Sequence, residues 1–207
     1  MASESIPSMV EMNEAPASRR RKRRKRQGGM TLTEYFNTPE TMWPQELIYG
    51  QVHVADAPFV SHQRVLLKMA MALIAHVERW SAGEVFIAPI DVILDRDRAL
   101  VVQPDLLFVS SSRLSMVQER IYGAPDLVIE ILSPDPRIGR IDERVSRFAE
   151  YGVREIWIYH QPDRKLEVLG CDGGAVVARR FFSLQDRIES SVLPPFTQTL
   201  GAIVDAW

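Results

Sequence analysis

The chain has few of the residues that build disulfides or zinc centres. Cys171 is its single cysteine, so an internal disulfide and a four-cysteine zinc site are both excluded. Its four histidines form no HxxxH or HxH pair, and no GxxxxGK[ST] phosphate loop is present. Apolar runs stay far below the roughly 18 residues of a membrane span, and the N-terminus lacks the apolar stretch of a secretory signal peptide. These absences predict a cytoplasmic protein that does not insert in a membrane.

Charge is concentrated at one end of the chain. The net charge is −2, but eight consecutive basic residues stand at 19–26. Beyond residue 29, 17 basic residues face 24 acidic ones, a balance of −7, because eight of the 25 basic and three of the 27 acidic residues lie within 1–29. We therefore predict a disordered basic tail at 1–29 and a folded, acidic domain at 30–207.

The basic run has two interpretations. In the first, it is a phosphate-binding arm that adds salt-dependent, sequence-independent affinity for nucleic acid, or a nuclear address in a nucleated cell. In the second, it is a solvated tail, or sequence upstream of a true start at Met30. Neither interpretation defines the function of the domain that follows.

Three helices are predicted in the domain. Thr31 and Glu34 match the capping box of a short helix. Ser61 is a candidate cap for a long helix, which Gly83 would end. A third helix is expected within 139–151. The apolar residues of the long helix recur at three- and four-residue steps: Val65, Leu66, Met69, Leu73, Val77 and Trp80.

Short runs rich in Val, Ile, Leu and Phe predict β-strands around these helices. The runs at 85–94 and 100–109 are joined by a charged turn, which favours an antiparallel hairpin. The order of helix, three strands, helix and further strands predicts an α/β (α+β) fold, in which a mixed β-sheet is flanked by helices. The predicted strand segments are 46–54 (two short strands around Gly50), 85–94, 100–109, 127–132, 155–160 and 165–169.

Two acidic residues occur in or beside the most apolar of these runs. Asp105 follows a Gln-Pro pair and directly precedes the run at 106–109, and Glu130 lies inside the run at 127–132. An ionised carboxylate withdrawn from water costs several kcal/mol unless a cation or hydrogen-bond donors compensate it. Two such acids on strands close in sequence therefore predict one shared cation, which is the outline of a metal site.

Taken in order, these features resemble the PD-(D/E)xK nuclease superfamily. Within that superfamily the chain is similar to the Uma-two family of restriction-endonuclease-like proteins, and the likeness spans most of 30–207. It rests on an ordered series of segments. These are 46–50, His62 at the long helix, 102–105, 126–134 and 152–157.

The resemblance implies a restriction-endonuclease-like core that hydrolyses nucleic-acid phosphodiester bonds with Mg²⁺, or Mn²⁺ in its place. It implies Asp105 and Glu130 as catalytic metal ligands and Glu46 as a third acid, since Mg²⁺ prefers oxygen ligands. We expect Gln103 to face the same side of its strand as Asp105 and to touch metal-bound water or phosphate. The expected partner is nucleic acid, with DNA favoured, and a homodimer would suit cutting both strands of a duplex.

The chain departs from the superfamily motif at its third position. Leu132 stands where the motif has lysine, and Arg144 stands on the following helix where the Uma-two family usually has lysine. We predict that Arg144 reaches the site and contacts phosphate, so that it acts in catalysis and in nucleic-acid binding. The alternative is a surface arginine. Arginine cannot act as the general base in a lysine's place, and Arg140 stands where the family more often has an acid.

Two hypotheses therefore compete with an endonuclease. One is a catalytically inactive nuclease-fold protein that binds nucleic acid, which Arg140 and Arg144 favour. The other is an oligomeric scaffold with no nucleic-acid role, which the acidic body favours. The retained acids Asp105 and Glu130 favour the enzyme.

Overall fold

The structure is a computed structural model that describes residues 29–39, 43–132, 140–196 and 198–205. The predictions for 1–28, and the proposed strand end at 133–136, lie outside these ranges. The helices are α1 (Leu32–Phe36), α2 (Val60–Trp80), α3 (Ile141–Glu150) and α4 (Leu200–Val204), with a 3₁₀ helix at Ser111–Met116. The strands are β1 (Gln45–Ile48), β2 (Gln51–Val54), β3 (Gly83–Ile87), β4 (Val92–Asp95), β5 (Leu100–Val102), β6 (Leu106–Ser110), β7 (Ile121–Tyr122), β8 (Leu127–Leu132), β9 (Glu155–His160), β10 (Lys165–Asp172) and β11 (Ala175–Phe182). Across these described ranges, no helix is long and apolar enough to cross a membrane.

The strands form two mixed sheets. The larger has the order β11-β10-β9-β8-β6-β3, and the smaller has the order β2-β1-β5-β4-β7. The β8–β9 and β4–β7 pairs are parallel, and the other pairs are antiparallel. This confirms the predicted α+β class, although the prediction was of one sheet rather than two.

The central strands of the larger sheet are buried on both faces. Along β8, Leu127, Ile129 and Ile131 join a core with α2 and α4. Val128, between them, joins a second core with α3 and with strands of the smaller sheet. Because side chains alternate along a strand, Glu130 lies on the same face as Val128, towards α3. The alternation therefore places this acid between the large sheet and the elements that carry the other candidate site residues.

The apolar stripe of α2 packs as predicted, but its ends differ from the prediction. The helix begins at Val60 and its N-terminal cap makes no side-chain hydrogen bond, so Ser61 is not the cap. It ends at Trp80, and Ser81, which caps it, adopts a left-handed conformation with φ of 49°. Gly83 is the first residue of β3 rather than the helix stop. Trp80, the last residue of the predicted stripe, is 55% exposed.

The predicted hairpin of 85–94 and 100–109 is divided between the two sheets. Pro89 interrupts the first run, so β3 ends at 87 and β4 begins at 92, and Pro104 interrupts the second between β5 and β6. Proline has no N–H to donate to a neighbouring strand, so a ladder cannot continue through it. Each half then pairs separately, β3 with β6 and β4 with β5. The break at Pro104 places Gln103 and Asp105 in a short irregular segment between the sheets.

Other elements match their predictions or extend them. The capping box of α1 forms, with Glu34 N donating to Thr31 Oγ1 and Thr31 N donating to a carboxylate oxygen of Glu34. Helix α3 lies within its predicted range. Strand β10 continues three residues beyond the predicted 165–169 and turns through Asp172-Gly173-Gly174 into β11, a strand that the sequence analysis did not include.

Candidate functional site

Asp105 lies just after the break at Pro104 and is held by two donors. Its Oδ2 accepts a hydrogen bond of 2.7 Å from the backbone N–H of Ile131 in β8. The same oxygen lies 3.1 Å from Nε2 of His62, a buried residue in the first turn of α2. The side chain of Asp105 is 18% exposed, so it borders solvent without being free in it. These contacts fix one carboxylate oxygen, and Oδ1 accepts no hydrogen bond from the described residues.

Glu130, in the middle of β8, is almost fully buried beside Arg144. Its Oε1 accepts a 2.7 Å hydrogen bond from Arg144 Nε. Burial raises the pKa of Glu130 to about 8. Arg144 lowers this pKa, whereas the carboxylates of Asp105 and Glu46 raise it further. The hydrogen bond from Ile131 N to Asp105 places that carboxylate beside the backbone of the residue that follows Glu130.

Glu46 belongs to the same group, because the pairing of β1 with β5 brings it beside Gln103. Its Oε1 accepts a 2.6 Å hydrogen bond from the backbone N–H of Gln103. Both of its carboxylate oxygens also accept hydrogen bonds from Arg144 Nη1, at 2.8 and 2.7 Å. Glu46 is therefore committed to Arg144, although it lies where the sequence predicted a third acid.

Arg144 is the centre of this cluster, which we call the carboxylate–arginine cluster: Glu46, Asp105, Glu130, Arg144 and His62. The arginine reaches inward from α3 and its side chain is 6% exposed, so the alternative of a surface arginine is wrong. Nε and Nη1 bond the two glutamates, and Nη2 donates to the backbone oxygen of Gln103 at 3.2 Å. Burial alone would lower the pKa of Arg144, but Glu130 and Glu46 outweigh it and raise the pKa above its usual value.

The formal charges of the cluster do not balance. Three carboxyl groups, of Glu46, Asp105 and Glu130, face one guanidinium. Because burial, with Asp105 and Glu46, raises the pKa of Glu130 to about 8, a proton on Glu130 offsets part of the excess negative charge near neutral pH. A second cation would take the place of that proton. Mg²⁺ needs only one or two carboxylates besides water and phosphate oxygens, which Asp105 and Glu130 can supply. Glu46 does not fit this role while Arg144 holds both its oxygens, and the described residues contain no group of three or more His, Cys, Asp or Glu placed to hold a metal ion.

The side chain of Gln103 does not face the same side as that of Asp105, as it would if both lay in one continuous strand. Both residues lie outside the strands, so period-two alternation does not orient them, and their side chains have different partners. The amide Nε2 of Gln103 donates to Asp91 Oδ1 at 2.9 Å, and Arg120 Nε lies 3.4 Å from Asp91 Oδ2. The Gln103 Oε1 atom is buried and has no hydrogen-bond partner among the described residues. Contact of Gln103 with phosphate or metal-bound water stays a prediction.

Two polar residues of the described chain carry roles that the sequence analysis did not assign. His62 was quoted only as part of the resemblance, yet it contacts Asp105 directly. Asp126, fully buried directly before β8, accepts hydrogen bonds from Ser110 N, Arg113 and Arg154 and lies outside the carboxylate–arginine cluster. A single histidine has no spacing pattern that would reveal a functional role. The one signal for His62 was its position in the first turn of an amphipathic helix.

The fold and the acids at its centre define a restriction-endonuclease-like α+β domain. The family model described as Uma2, putative restriction endonuclease, matches residues 32–201, and the chain belongs to this family. A solved structure with a similar fold is that of a putative nuclease belonging to DUF820 from Anabaena variabilis ATCC 29413. Its TM-score is 0.71 at 17% identity, over 85% of this chain and 98% of that one. No curated protein matches the chain.

Proposed function

We propose that the protein is a metal-dependent endonuclease that hydrolyses phosphodiester bonds of nucleic acid at the carboxylate–arginine cluster. The observation that carries the proposal is the excess of carboxyl groups over the single guanidinium in this cluster, in which Asp105 and Glu130 each keep a carboxyl oxygen without a hydrogen-bond partner among the described residues. Membership of a family described as putative restriction endonucleases supports the reaction class. Fold alone would not, because one fold hosts many functions.

Asp105 and Glu130 would hold the metal, with Mg²⁺ favoured and Mn²⁺ a substitute. When bound, such an ion polarises the phosphoryl oxygen, lowers the pKa of its water and offsets charge on the leaving oxygen. The protein's contribution is to keep the two carboxylates in place. Ile131 N–H and His62 fix Asp105, and Arg144 fixes Glu130.

His62 acts on Asp105 as a donor. Its Nδ1 is buried without a partner among the described residues, whereas its Nε2 faces a carboxylate that only accepts. The proton of this contact therefore sits on Nε2. The hydrogen bond orients the carboxylate of Asp105.

Arg144 supports a second candidate function, a nuclease-fold protein that binds nucleic acid without cutting it. The guanidinium already donates to Glu46, Glu130 and the backbone of Gln103, so contact with phosphate would require it to leave these partners. It also cannot take a proton from water. If Arg144 serves only to hold the acids, the nucleophile needs another activator, and without one the protein binds but does not cut.

Cleavage of plasmid and single-stranded DNA in Mg²⁺ or Mn²⁺ tests the proposal. We expect the full chain to cut, Asp105→Asn to lose at least about a hundredfold in rate because a metal ligand is removed, and the exposed control Asp163→Asn to cut like the unaltered protein. Equal cutting by Asp105→Asn would place the activity elsewhere. Metal binding and DNA binding without cutting would favour the second candidate. We propose DNA as the substrate and a homodimer for double-strand cuts, and the plasmid products and the size of the protein in solution test both.

A further inference from the structure

A cavity of about 450 Å³ lies beside the carboxylate–arginine cluster. Its lining includes the C-terminal part of α1, the chain before β1, and the irregular segments before β4 and after β5. Three aromatic residues, Tyr35, Phe36 and Trp43, form part of its wall, together with the polar side chains of Asp91, Gln103 and Arg120. A volume of this size lies within the range of small-molecule sites, which combine apolar walls with a few polar groups.

The aromatic wall is both rigid and accessible. Tyr35 is buried, donates its hydroxyl to the Gln45 backbone oxygen at 2.8 Å, and contacts the Phe36 ring edge-to-face at 5.3 Å between centroids. The Arg120 guanidinium lies 3.8 Å from the Phe36 ring centroid and fixes that ring from one side. Trp43 is 56% exposed, so a flat ligand can reach its indole from solvent. Aromatic side chains at an accessible cavity are a surface on which nucleobases stack.

The polar part of the cavity lacks one hydrogen-bond donor. Asp91 accepts from Gln103 Nε2 and so fixes the orientation of the amide, because a carboxylate cannot donate when ionised. The amide oxygen Oε1 is thereby aimed elsewhere, buried and without a partner in the described ranges. A buried acceptor without a donor costs free energy that an N–H group would recover. Because Oε1 has no accessible surface, a ligand in the cavity reaches it only when the Gln103 amide turns towards the cavity that this residue lines. The cavity thus favours a flat ligand that carries an N–H donor.

Gln103 also connects the cavity to the cluster. Its backbone N–H donates to Glu46 and its backbone oxygen accepts from Arg144, while its side chain lines the cavity. We propose that the cavity binds one amino-bearing nucleobase (adenine, cytosine or guanine) of the strand whose phosphodiester lies at Asp105 and Glu130, with the base stacked on Trp43 and its N–H donated to Gln103 Oε1. This inference rests on the proposed function and adds base recognition to it.

Binding of short labelled oligodeoxynucleotides to the full chain, measured by fluorescence anisotropy in a metal chelator, tests the inference without cleavage. The variants are Trp43→Leu and the matched control Trp80→Leu, since Trp80 is equally exposed at 55% but does not line the cavity. We expect Trp43→Leu to bind an oligo-deoxyadenosine about tenfold more weakly, and Trp80→Leu to bind it as the unaltered protein does. Trp43→Phe should retain most of the affinity, because it keeps a stacking ring and also shows that the site still folds.

Two further probes separate base recognition from backbone binding. An abasic oligomer should bind the unaltered protein and Trp43→Leu equally, and an oligomer of unsubstituted purine should bind the unaltered protein more weakly than oligo-deoxyadenosine. Equal loss in Trp43→Leu and Trp80→Leu, or no loss in either, overturns the inference, as does an abasic oligomer that binds as tightly as the adenosine one. Cleavage without Trp43-dependent binding retains the nuclease and removes the base site. Trp43-dependent binding without cleavage retains the base site and removes the nuclease.

Discussion

At the scale of single residues, Arg144 holds its charge inside the protein. Its guanidinium donates to Glu130 and Glu46 at 2.7–2.8 Å and its side chain is 6% exposed. A buried ion pair adds little to stability over a well-packed apolar replacement of both partners, but removal of one partner leaves the other charge uncompensated. Loss of Arg144 would therefore lower stability mainly because Glu46 and Glu130 would remain without their cation.

We expect Arg144→Met to destabilise the protein by about 3–5 kcal/mol, because it leaves Glu46 and Glu130 buried without their cation. Methionine keeps much of the length of the side chain, so packing changes little. The measurement is denaturant unfolding at neutral pH, with Arg140→Met as control. Arg140 is at the boundary of the same helix but its side chain is 77% exposed, so its loss should change stability by less than about 0.5 kcal/mol. Similar effects in the two variants would show that the acids do not depend on Arg144.

We expect the ionised carboxylate of Asp126 to stabilise the fold, and this stabilisation to be lost at low pH. Burial raises its pKa, but hydrogen bonds from Ser110 and Arg113 outweigh burial and hold the pKa below the usual 3.8. A lowered folded pKa contributes stability that is present above pH 3.8 and is lost as the pH falls through the lower folded value. We expect Asp126→Asn to cost about 3 kcal/mol at pH 7, and this difference from the unaltered protein to shrink in acid.

Unfolding free energies measured from pH 7 down to pH 3 and below test this expectation. The control is Asp97→Asn, which removes an exposed turn carboxylate and should follow the unaltered protein throughout. A cost for Asp126→Asn that stayed constant as the pH fell would mean that its ionisation is not what stabilises the fold.

The sequence located the acids of the site better than their partners. Arg144 bonds Glu130, and Asp105 bonds the backbone of the residue that follows Glu130. A run of apolar residues around an acid and an inward helix position are both visible as patterns, whereas the roles of these residues stay predictions. His62 carries no such pattern, and its contact with Asp105 depends on how α2 packs against the large sheet. One arginine also bonds Glu130, Glu46 and Gln103, which lie on separate elements. This arrangement can be recognised only once those elements are packed together.

At the scale of elements, two prolines decide how the sheets divide. The runs at 85–94 and 100–109 have the composition of continuous strands, and a hairpin was the natural prediction. Pro89 and Pro104 stop each ladder in its middle, so the halves enter different sheets. The two runs still pair antiparallel with each other, as the predicted hairpin requires. Composition shows that a proline weakens a strand, but it does not show that the two halves enter different sheets. The same break creates the site, because it frees Gln103 and Asp105 from the strands.

Gly83 marks the tightest junction between elements, where α2 gives way to β3. Its φ of 151° is unfavourable for other residues, and an added Cβ would lie 2.0 Å from the Val109 backbone oxygen. We expect Gly83→Ala to destabilise the protein by about 3 kcal/mol or more, because β3 would have to move away from β6. The control is Gly170→Ala, in β10, where the nearest atom is the Ala178 Cβ at 3.4 Å and the change should cost no more than about 1 kcal/mol. Thermal unfolding of both variants is the measurement, and equal melting temperatures would contradict the packing at β3.

At the scale of the whole molecule, the fold depends on the pattern of burial more than on residue identity. The DUF820 nuclease-like structure shares the fold with a TM-score of 0.71 at only 17% identity. Strands buried on both faces accept any apolar residues of suitable volume, so the order of such runs was enough to predict the class. The division into two sheets was not predicted, because strand pairing over long sequence separations leaves no local signal. The added β11 pairs with β10 through the tight turn at Gly173-Gly174, which is a local hairpin signal that the sequence analysis did not use.

Acidic and basic residues are segregated along the chain, and this segregation predicts how the protein binds nucleic acid. The body at 30–207 carries −7 and the run at 19–26 carries eight basic residues, so electrostatic attraction to phosphate should come mostly from the run. We expect replacement of these eight residues by glutamine to weaken DNA binding at low salt. The slope of log K against log salt should become shallower by about 0.9 for each phosphate that the protein no longer neutralises. Anisotropy titrations at several salt concentrations measure this slope, and melting temperatures of both proteins control for folding. An unchanged slope would support the interpretation of the run as a solvated tail or upstream sequence.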